Sequence, residues 1–151
     1  MDSGNIGFVL LCAAFVFVMT PGLAMFYGGL VRKKNVVNTM MTSIFIIGVG
    51  IVMWVLFGYS LSFAPSGNAF IGDFRWLGLE GVSLTEGYTD DASIPNMVFS
   101  AFQMMFAVIT PALITGAVAG RMKFKSIFVF TIFWSLIVYY PLAHMVWGQG
   151  G

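Results

Sequence analysis

The stretch FQMMFAVITPALITGAVAGRMKF, residues 102–124, joins a long apolar run to a basic turn. No charged side chain occurs from Ala92 to Gly120, and Arg121 and Lys123 follow immediately. A helix of about 20 apolar residues crosses the hydrocarbon core of a bilayer, and short loops rich in Lys and Arg stay on its cytoplasmic side. The stretch therefore predicts a membrane-spanning helix that ends in the cytoplasm.

The composition of the whole chain also indicates a membrane protein. Hydrophobic residues make up 59% of the 151 residues, charged residues 9%, and the mean hydropathy is +0.93. A soluble domain carries about 25% charged residues, so this chain belongs in the lipid bilayer. Its net charge of +1 excludes the strongly basic surface of a nucleic-acid-binding domain. Cys12, the single cysteine, excludes a disulfide within the chain.

Four apolar runs are long enough to span a membrane, which predicts an all-α membrane protein. The runs are 6–31, 36–63, 95–119 and 127–147. No basic residue precedes Arg32, whereas a secretory signal peptide opens with a positive segment. We therefore expect the first run to be a retained helix.

Six of the seven basic residues occupy the two short turns, after the first and third spans. They are Arg32, Lys33, Lys34, Arg121, Lys123 and Lys125. The positive-inside rule then places both turns in the cytoplasm, and the N-terminus, residues 64–94 and the C-terminus outside. Residues 64–94 are acidic and rich in Gly, so they form an extracellular loop. This loop is either a solvated connector or a rim that attracts cations.

Aromatic residues approach the outer half of the predicted bundle from two spans. Phe102 and Phe106, spaced i and i+4, share one face of the third span, and Trp147 closes the fourth. Their spacing fits ordinary packing and an interfacial anchor. It also fits an aromatic vestibule that binds a small cation through the ring quadrupoles. The spacing leaves both interpretations open.

The chain offers little for catalysis. No Asp or Glu lies inside a span, so an intramembrane carboxylate relay cannot form from this chain. The single histidine, His144, lacks a second metal ligand nearby, and we expect it to be a hydrogen-bonded structural residue. We predict no enzyme activity, no metal and no cofactor. Gly116 and Gly120 make a small-xxx-small pattern that allows close helix packing in lipid.

Four segments of the chain, in order, resemble the ammonium transporter family (the Amt/Mep/Rh group). They are PGLAMFYGGLVRKKNVVNTM (21–40), WVLFGYSLSF (54–63), FQMMFAVITPALITGAVAGRMKF (102–124) and PLAHMVWGQGG (141–151). The resemblance implies a fold of eleven helices in two inverted halves, of which residues 1–151 hold the first four. It also implies a homotrimer in the plasma or inner membrane, with a pore in each subunit, and a cytoplasmic regulatory protein as a further partner.

The resemblance also implies a substrate and site residues. Ammonium would be recruited between Phe106 and Trp147, would lose a proton, and would cross an apolar pore as ammonia. Phe102 and Phe106 would form the gate, and Tyr27 of the FYGG motif would lie beside the pore. His144 does not match the paired pore histidines of the family, which belong to later helices.

Two other functions stay open at this point. The chain could be the ammonium-sensing module of a larger signalling protein, or a membrane fragment without activity. Because the pore histidines and half of the inverted repeat would lie beyond Gly151, we expect residues 1–151 alone not to transport ammonium.

Overall fold

The computed structural model describes residues 2–65 and 68–151. Four of its helices are long and apolar enough to cross a membrane, which confirms an all-α fold with four spans. These spans are Ser3–Leu30, Lys33–Phe63, Asn96–Val118 and Phe124–Trp147. The first, second and fourth spans each begin three residues earlier than the predicted residues 6, 36 and 127. The remaining ends lie at or next to the predicted positions.

The second and fourth spans are not continuous α-helices. The α-helical elements are α1 (Ser3–Leu30), α2 (Val36–Met53), α3 (Tyr59–Phe63), α4 (Asn96–Val118), α5 (Phe124–Trp134) and α6 (Tyr140–Trp147). A π turn, Trp54–Gly58, joins α2 to α3, and a second π turn, Ser135–Tyr139, joins α5 to α6. Short 3₁₀ helices cover Lys33–Asn35 and Leu77–Leu79. The apolar pattern predicted the four spans but not these two turns.

The bundle has two chemically different ends. The N-terminus lies against the 64–94 segment, because the Asp2 N–H donates to the Ser93 carbonyl at 3.0 Å. Asp2 also caps α1 by accepting from the Gly4 N–H at 2.9 Å. This end, which also carries Trp147, is called the acidic end, and the end with the two basic turns is called the basic end.

The second span packs antiparallel on α4 through small and polar side chains. Four contacts follow one another from the basic end to the acidic end. Ser43 Oγ lies 3.1 Å from Thr115 Oγ1, and Gly50 packs against Val108. Trp54 Nε1 donates to Ser100 Oγ at 3.3 Å, and the Tyr59 hydroxyl donates to Asn96 Oδ1. In lipid no hydrophobic force drives helices together, so close contact and interhelical hydrogen bonds hold them.

Tyr27 links α1 to α4. Its hydroxyl donates to the Leu113 carbonyl at 2.9 Å, and its ring covers Gly116. The predicted close packing at Gly116 is therefore a contact with Tyr27. Gly120, the second glycine of that pattern, lies beyond the end of α4 with a φ of 71°, where it turns the chain toward Arg121.

The 64–94 segment, of which residues 66 and 67 lie outside the described part, is folded onto the acidic end. Val82 is buried, and Trp76 stacks on Tyr59 with ring centroids 5.5 Å apart. Tyr88 stacks on Phe99 at 4.9 Å. The interpretation of this segment as a solvated connector is wrong for these three side chains. Its five acidic residues are exposed: Asp73, Glu80, Glu86, Asp90 and Asp91.

Candidate aromatic site

A pocket of about 340 Å³ opens between α4 and the fourth span, toward the acidic end. Its lining is Phe106, Thr110, Trp134, Val138, Tyr139, Leu142, Ala143, Val146 and Trp147. The pocket thus brings together Phe106 and Trp147, the two residues predicted to recruit a cation. Phe102 does not line it, but the Phe102 ring meets the Phe106 ring edge to face, with centroids 5.2 Å apart at 77°.

Phe106 is held in the middle of α4, one turn from Phe102. Its carbonyl accepts a hydrogen bond from Thr110 Oγ1 at 2.6 Å, so the hydroxyl that lines the pocket is turned toward the backbone. Phe106 is half-buried, with part of its ring facing the pocket. Such a ring can bind a cation on one face while the other packs against neighbours.

Trp147 is the last residue of α6, and its side chain is 58% exposed. The helix ends at the next residue: the Gly148 N–H still makes the helical hydrogen bond to the His144 carbonyl, at 2.8 Å, but Gly148 itself has extended backbone (φ −72°, ψ 151°), so the chain turns away from the helix axis there. A Cβ atom at position 148 would lie 2.7 Å from that carbonyl oxygen, so only glycine fits there. The turn leaves the indole at the rim of the pocket.

His144 is completely buried and does not line the pocket. Its Nδ1 lies 3.1 Å from the Ser62 carbonyl oxygen, and its Nε2 lies 3.0 Å from the Asn68 carbonyl oxygen. The ring therefore ties the fourth span to the end of the second, which is the structural role expected from the sequence.

Trp134 and Tyr139 are pocket residues that the sequence analysis missed. They are five residues apart, which in an α-helix places side chains about 140° apart. The π turn brings their rings together, with centroids 6.2 Å apart. Pro141 is the local signal that could have revealed the turn, because it has no N–H to donate to the carbonyl of Ile137 in an α-helical register.

Tyr27 lies away from this pocket, in its contact with Gly116 and Leu113. Its position beside a pore stays a prediction, as do the roles of Phe102, Phe106 and Trp147. Among residues 2–65 and 68–151, no three His, Cys, Asp or Glu side chains come together as metal ligands would.

The pocket itself is uncharged, whereas the acidic end around it is not. The described residues that line the pocket include neither acids nor bases. On the 64–94 segment, the Asp73 carboxyl accepts hydrogen bonds from the Phe74 N–H at 2.7 Å and from the Arg75 guanidinium at 3.2 Å. These bonds hold the pKa of the Asp73 carboxyl below its usual range. Asp73 is therefore charged at neutral pH, but its ion pair with Arg75 offsets its charge, so the negative potential of the acidic end comes mainly from Glu80, Glu86, Asp90 and Asp91.

A sequence model described as the Ammonium Transporter Family matches residues 7–151, which is nearly all of the chain. The chain belongs to this family. It is 49% identical over 150 residues to the ammonium transporter of Bacillus subtilis strain 168, an alignment that covers 99% of this chain and 37% of that protein. An ammonium transporter of Mycobacterium tuberculosis strain H37Rv is 42% identical over 164 residues.

Solved structures of the family share the arrangement of the four spans. Candida albicans Mep2 superposes with a TM-score of 0.87 at 30% identity, over 100% of this chain and 33% of that chain. Saccharomyces cerevisiae Mep2 superposes with a TM-score of 0.87 at 35% identity, over 100% of this chain and 35% of that chain. The chain thus spans about a third of the length of these relatives.

Proposed function

We propose that the protein containing this chain transports ammonium across the cell membrane. The observation that carries the proposal is the pocket in which Phe106 and Trp147 meet, although 40 residues separate them in the sequence. Family membership supports the choice of ammonium as the substrate. The proposal concerns the whole protein, since this chain spans 37% of its B. subtilis relative.

Recruitment of the cation begins at the acidic end. Five exposed carboxylates on the 64–94 segment attract cations. The indole of Trp147, at the rim, and the ring of Phe106, below it, then bind ammonium through their electron-rich faces. Such contacts contribute about 0.5–1 kcal/mol when exposed and about 2 kcal/mol or more when the cation is desolvated. A hydrated metal ion keeps its water and gains less.

In the proposed mechanism ammonium then gives its proton to bulk water at the open rim of the pocket, where Trp147 is 58% exposed, because the described lining of the pocket holds no base. A bare charge inside an apolar lumen costs at least several kcal/mol, whereas neutral ammonia avoids that cost. The edge-to-face pair Phe102 and Phe106 then acts as the gate, which opens when the rings rotate apart. Ammonia continues through an apolar pore beside which we propose that Tyr27 lies.

Orientation and assembly belong to the same proposal. The N-terminus and the 64–94 segment face outward, and the six basic residues of the two turns face the cytoplasm. The protein is a homotrimer in the plasma or inner membrane, and a cytoplasmic protein regulates it from the basic end. The basic turns offer that partner a positively charged surface.

Ammonium uptake by the whole protein in liposomes, with an internal pH dye, tests the aromatic site. We expect Trp147→Leu to raise the half-saturating ammonium concentration about five-fold or more and to weaken discrimination against potassium, because the rim indole is lost. Phe133→Leu is the matched control: Phe133 is also 58% exposed on the fourth span but lies outside the pocket. Equal, wild-type behaviour of both variants would return Trp147 to the role of a membrane anchor.

A further inference from the structure

The two π turns share a sequence pattern and a hydrogen bond that spans five residues, although in the fourth span the bond lies one residue later relative to the pattern. WVLFGY (54–59) and WSLIVY (134–139) both read Trp-x-Leu-x-x-Tyr. In the second span the Tyr59 N–H donates to the Trp54 carbonyl, five residues back. In the fourth span the Tyr140 N–H donates to the Ser135 carbonyl, again five residues back. Each hydrogen bond closes one wider turn inside an otherwise α-helical span.

Each turn aligns the Trp and Tyr of its pattern. The rings of Trp54 and Tyr59 lie 5.7 Å apart, and those of Trp134 and Tyr139 lie 6.2 Å apart. Residues i and i+5 point about 140° apart in an α-helix, so neither pair would form without the extra residue. The ring pairs are thus a direct consequence of the π turns.

The two turns also contact each other. Gly58 ends the first turn, and Tyr140 follows the second. The Tyr140 ring, 1% exposed, lies so close to Gly58 that a Cβ atom there would be 2.7–2.9 Å from three ring and hydroxyl atoms. Trp54 and Phe57 hold the same ring from other sides, with centroids 6.1 and 6.2 Å away. The Tyr140 ring is therefore packed against three residues of the first turn.

The fourth-span turn sets the direction in which Trp147 points. Trp134 precedes the turn and Trp147 follows it, yet both line the pocket with Phe106. Removal of one residue would rotate α6 by about 100° relative to α5 and shift it by about 1.5 Å along the axis. The Trp147 indole would then leave the side of the helix that faces Phe106.

We propose that the fourth-span π turn, locked by the contact between Gly58 and Tyr140, is a positioning device that aims Trp147 at Phe106. Gly58 and Tyr140 are positioning residues, because they act on the cation through Trp147. The consequence for ammonium affinity rests on the proposed function. The orientation of Trp147 does not, and it can be measured separately.

Gly58→Ala in the whole protein tests the lock, with Gly48→Ala as the matched control. Both glycines lie in the second span, but nothing lies within 4 Å of a Cβ atom at position 48. In protein labelled with 5-fluorotryptophan, the ¹⁹F resonance of Trp147 is assigned by its loss in Trp147→Phe. We expect Gly58→Ala to shift this resonance and to raise the half-saturating ammonium concentration about two- to five-fold. Gly48→Ala should leave both unchanged.

Truncation of the opposing ring tests the route of the effect. The double variant Gly58→Ala, Tyr140→Leu removes the overlap between the new Cβ atom and the Tyr140 ring. We expect its Trp147 resonance and its ammonium affinity to match those of Tyr140→Leu alone. An unshifted Trp147 resonance in Gly58→Ala, an equal shift in Gly48→Ala, or no recovery in the double variant would each overturn the proposal.

A deletion tests the register if Gly58→Ala fails to fold. Ile137, which is 69% exposed, lies inside the fourth-span turn. Its deletion should straighten the helix, separate the rings of Trp134 and Tyr139, and turn Trp147 away from Phe106 in the solved structure of the variant. A variant that keeps Trp147 beside Phe106 would overturn the proposal. If the wild type moves no ammonium while the ¹⁹F shifts behave as expected, the proposed function fails and the positioning role stands.

Discussion

Tyr27 and Gly116 form a close contact between the first and third spans. The Tyr27 ring lies where a side chain at position 116 would go, and its hydroxyl donates to the Leu113 carbonyl at 2.9 Å. The contact combines the two means by which helices associate in lipid, a small residue that allows close approach and an interhelical hydrogen bond. It fixes α1 against α4 on the basic side of Phe106.

Gly116→Ala should therefore destabilise the protein by about 1–3 kcal/mol, since the new Cβ atom would lie 2.6 Å from Cε1 of Tyr27. Gly29→Ala, in α1 with open space around the new atom, should be neutral or slightly stabilising. Thermal unfolding of both variants in detergent measures the difference. Equal melting temperatures would show that Tyr27 moves aside at no cost.

The sequence predicts some residues of the pocket and not others, for a geometric reason. Phe102 and Phe106 are spaced i and i+4 in an unbroken α-helix, so their shared face could be predicted from the 3.6-residue period. Trp134 and Tyr139 are spaced i and i+5, which the same period assigns to different faces. Their partnership depends on the π turn, which the hydrophobic pattern does not encode.

At the scale of elements, the 64–94 segment is fastened to the bundle by Tyr88. The Tyr88 hydroxyl accepts from the Gln149 N–H at 3.0 Å, and the Tyr88 carbonyl accepts from Gln149 Nε2 at 2.7 Å. Its ring stacks on Phe99. Burial raises the pKa of the Tyr88 hydroxyl, although the hydrogen bond from Gln149 acts in the opposite direction.

The raised pKa of Tyr88 predicts a loss of stability at alkaline pH. The unfolded chain releases the phenolic proton near pH 10, while the folded protein retains it. The contribution of Tyr88 to stability is therefore complete below about pH 10 and is lost as the pH rises through the folded-state pKa. Melting temperatures from pH 9 to 11.5 should fall more for the wild type than for Tyr88→Phe, in which this group cannot titrate. Parallel curves would contradict the raised pKa.

The docking of this segment could not be predicted from its own sequence. Its acidic, Gly-rich composition is typical of a solvated loop. Its partners are distant in the sequence, since Phe99 lies on α4 and Gln149 follows α6. The four spans, in contrast, depend on the length and polarity of each run alone, which is why their number and approximate ends could be predicted. Their interruptions could not be predicted from the apolar pattern: Pro141 is a local signal for the fourth-span turn only, and the contact of Gly58 with the Tyr140 ring depends on a different span.

For the whole molecule, the partition of charge is the feature from which we infer the orientation of the fold in a membrane. The six basic residues of the two turns lie at one end, and Asp2 and the acids of the 64–94 segment lie at the other. Among the residues that the structure describes, the one ion pair joins Arg75 to Asp73, at the acidic end. In the proposed orientation, the cations of the basic end are left to interact with anionic lipid and the cytoplasm.

Cysteine labelling in intact cells tests the orientation. Leu84→Cys, at a site 72% exposed on the 64–94 segment, and Lys123→Cys, exposed at the basic end, are placed singly in a cysteine-free background that includes Cys12→Ala. A membrane-impermeant maleimide should label Leu84→Cys at once and Lys123→Cys only after permeabilisation, because loops rich in Lys and Arg are retained inside. The reverse pattern would put the aromatic pocket and the carboxylates around it in the cytoplasm. Recruitment of external ammonium by Phe106 and Trp147 would then be excluded, whatever the pocket binds.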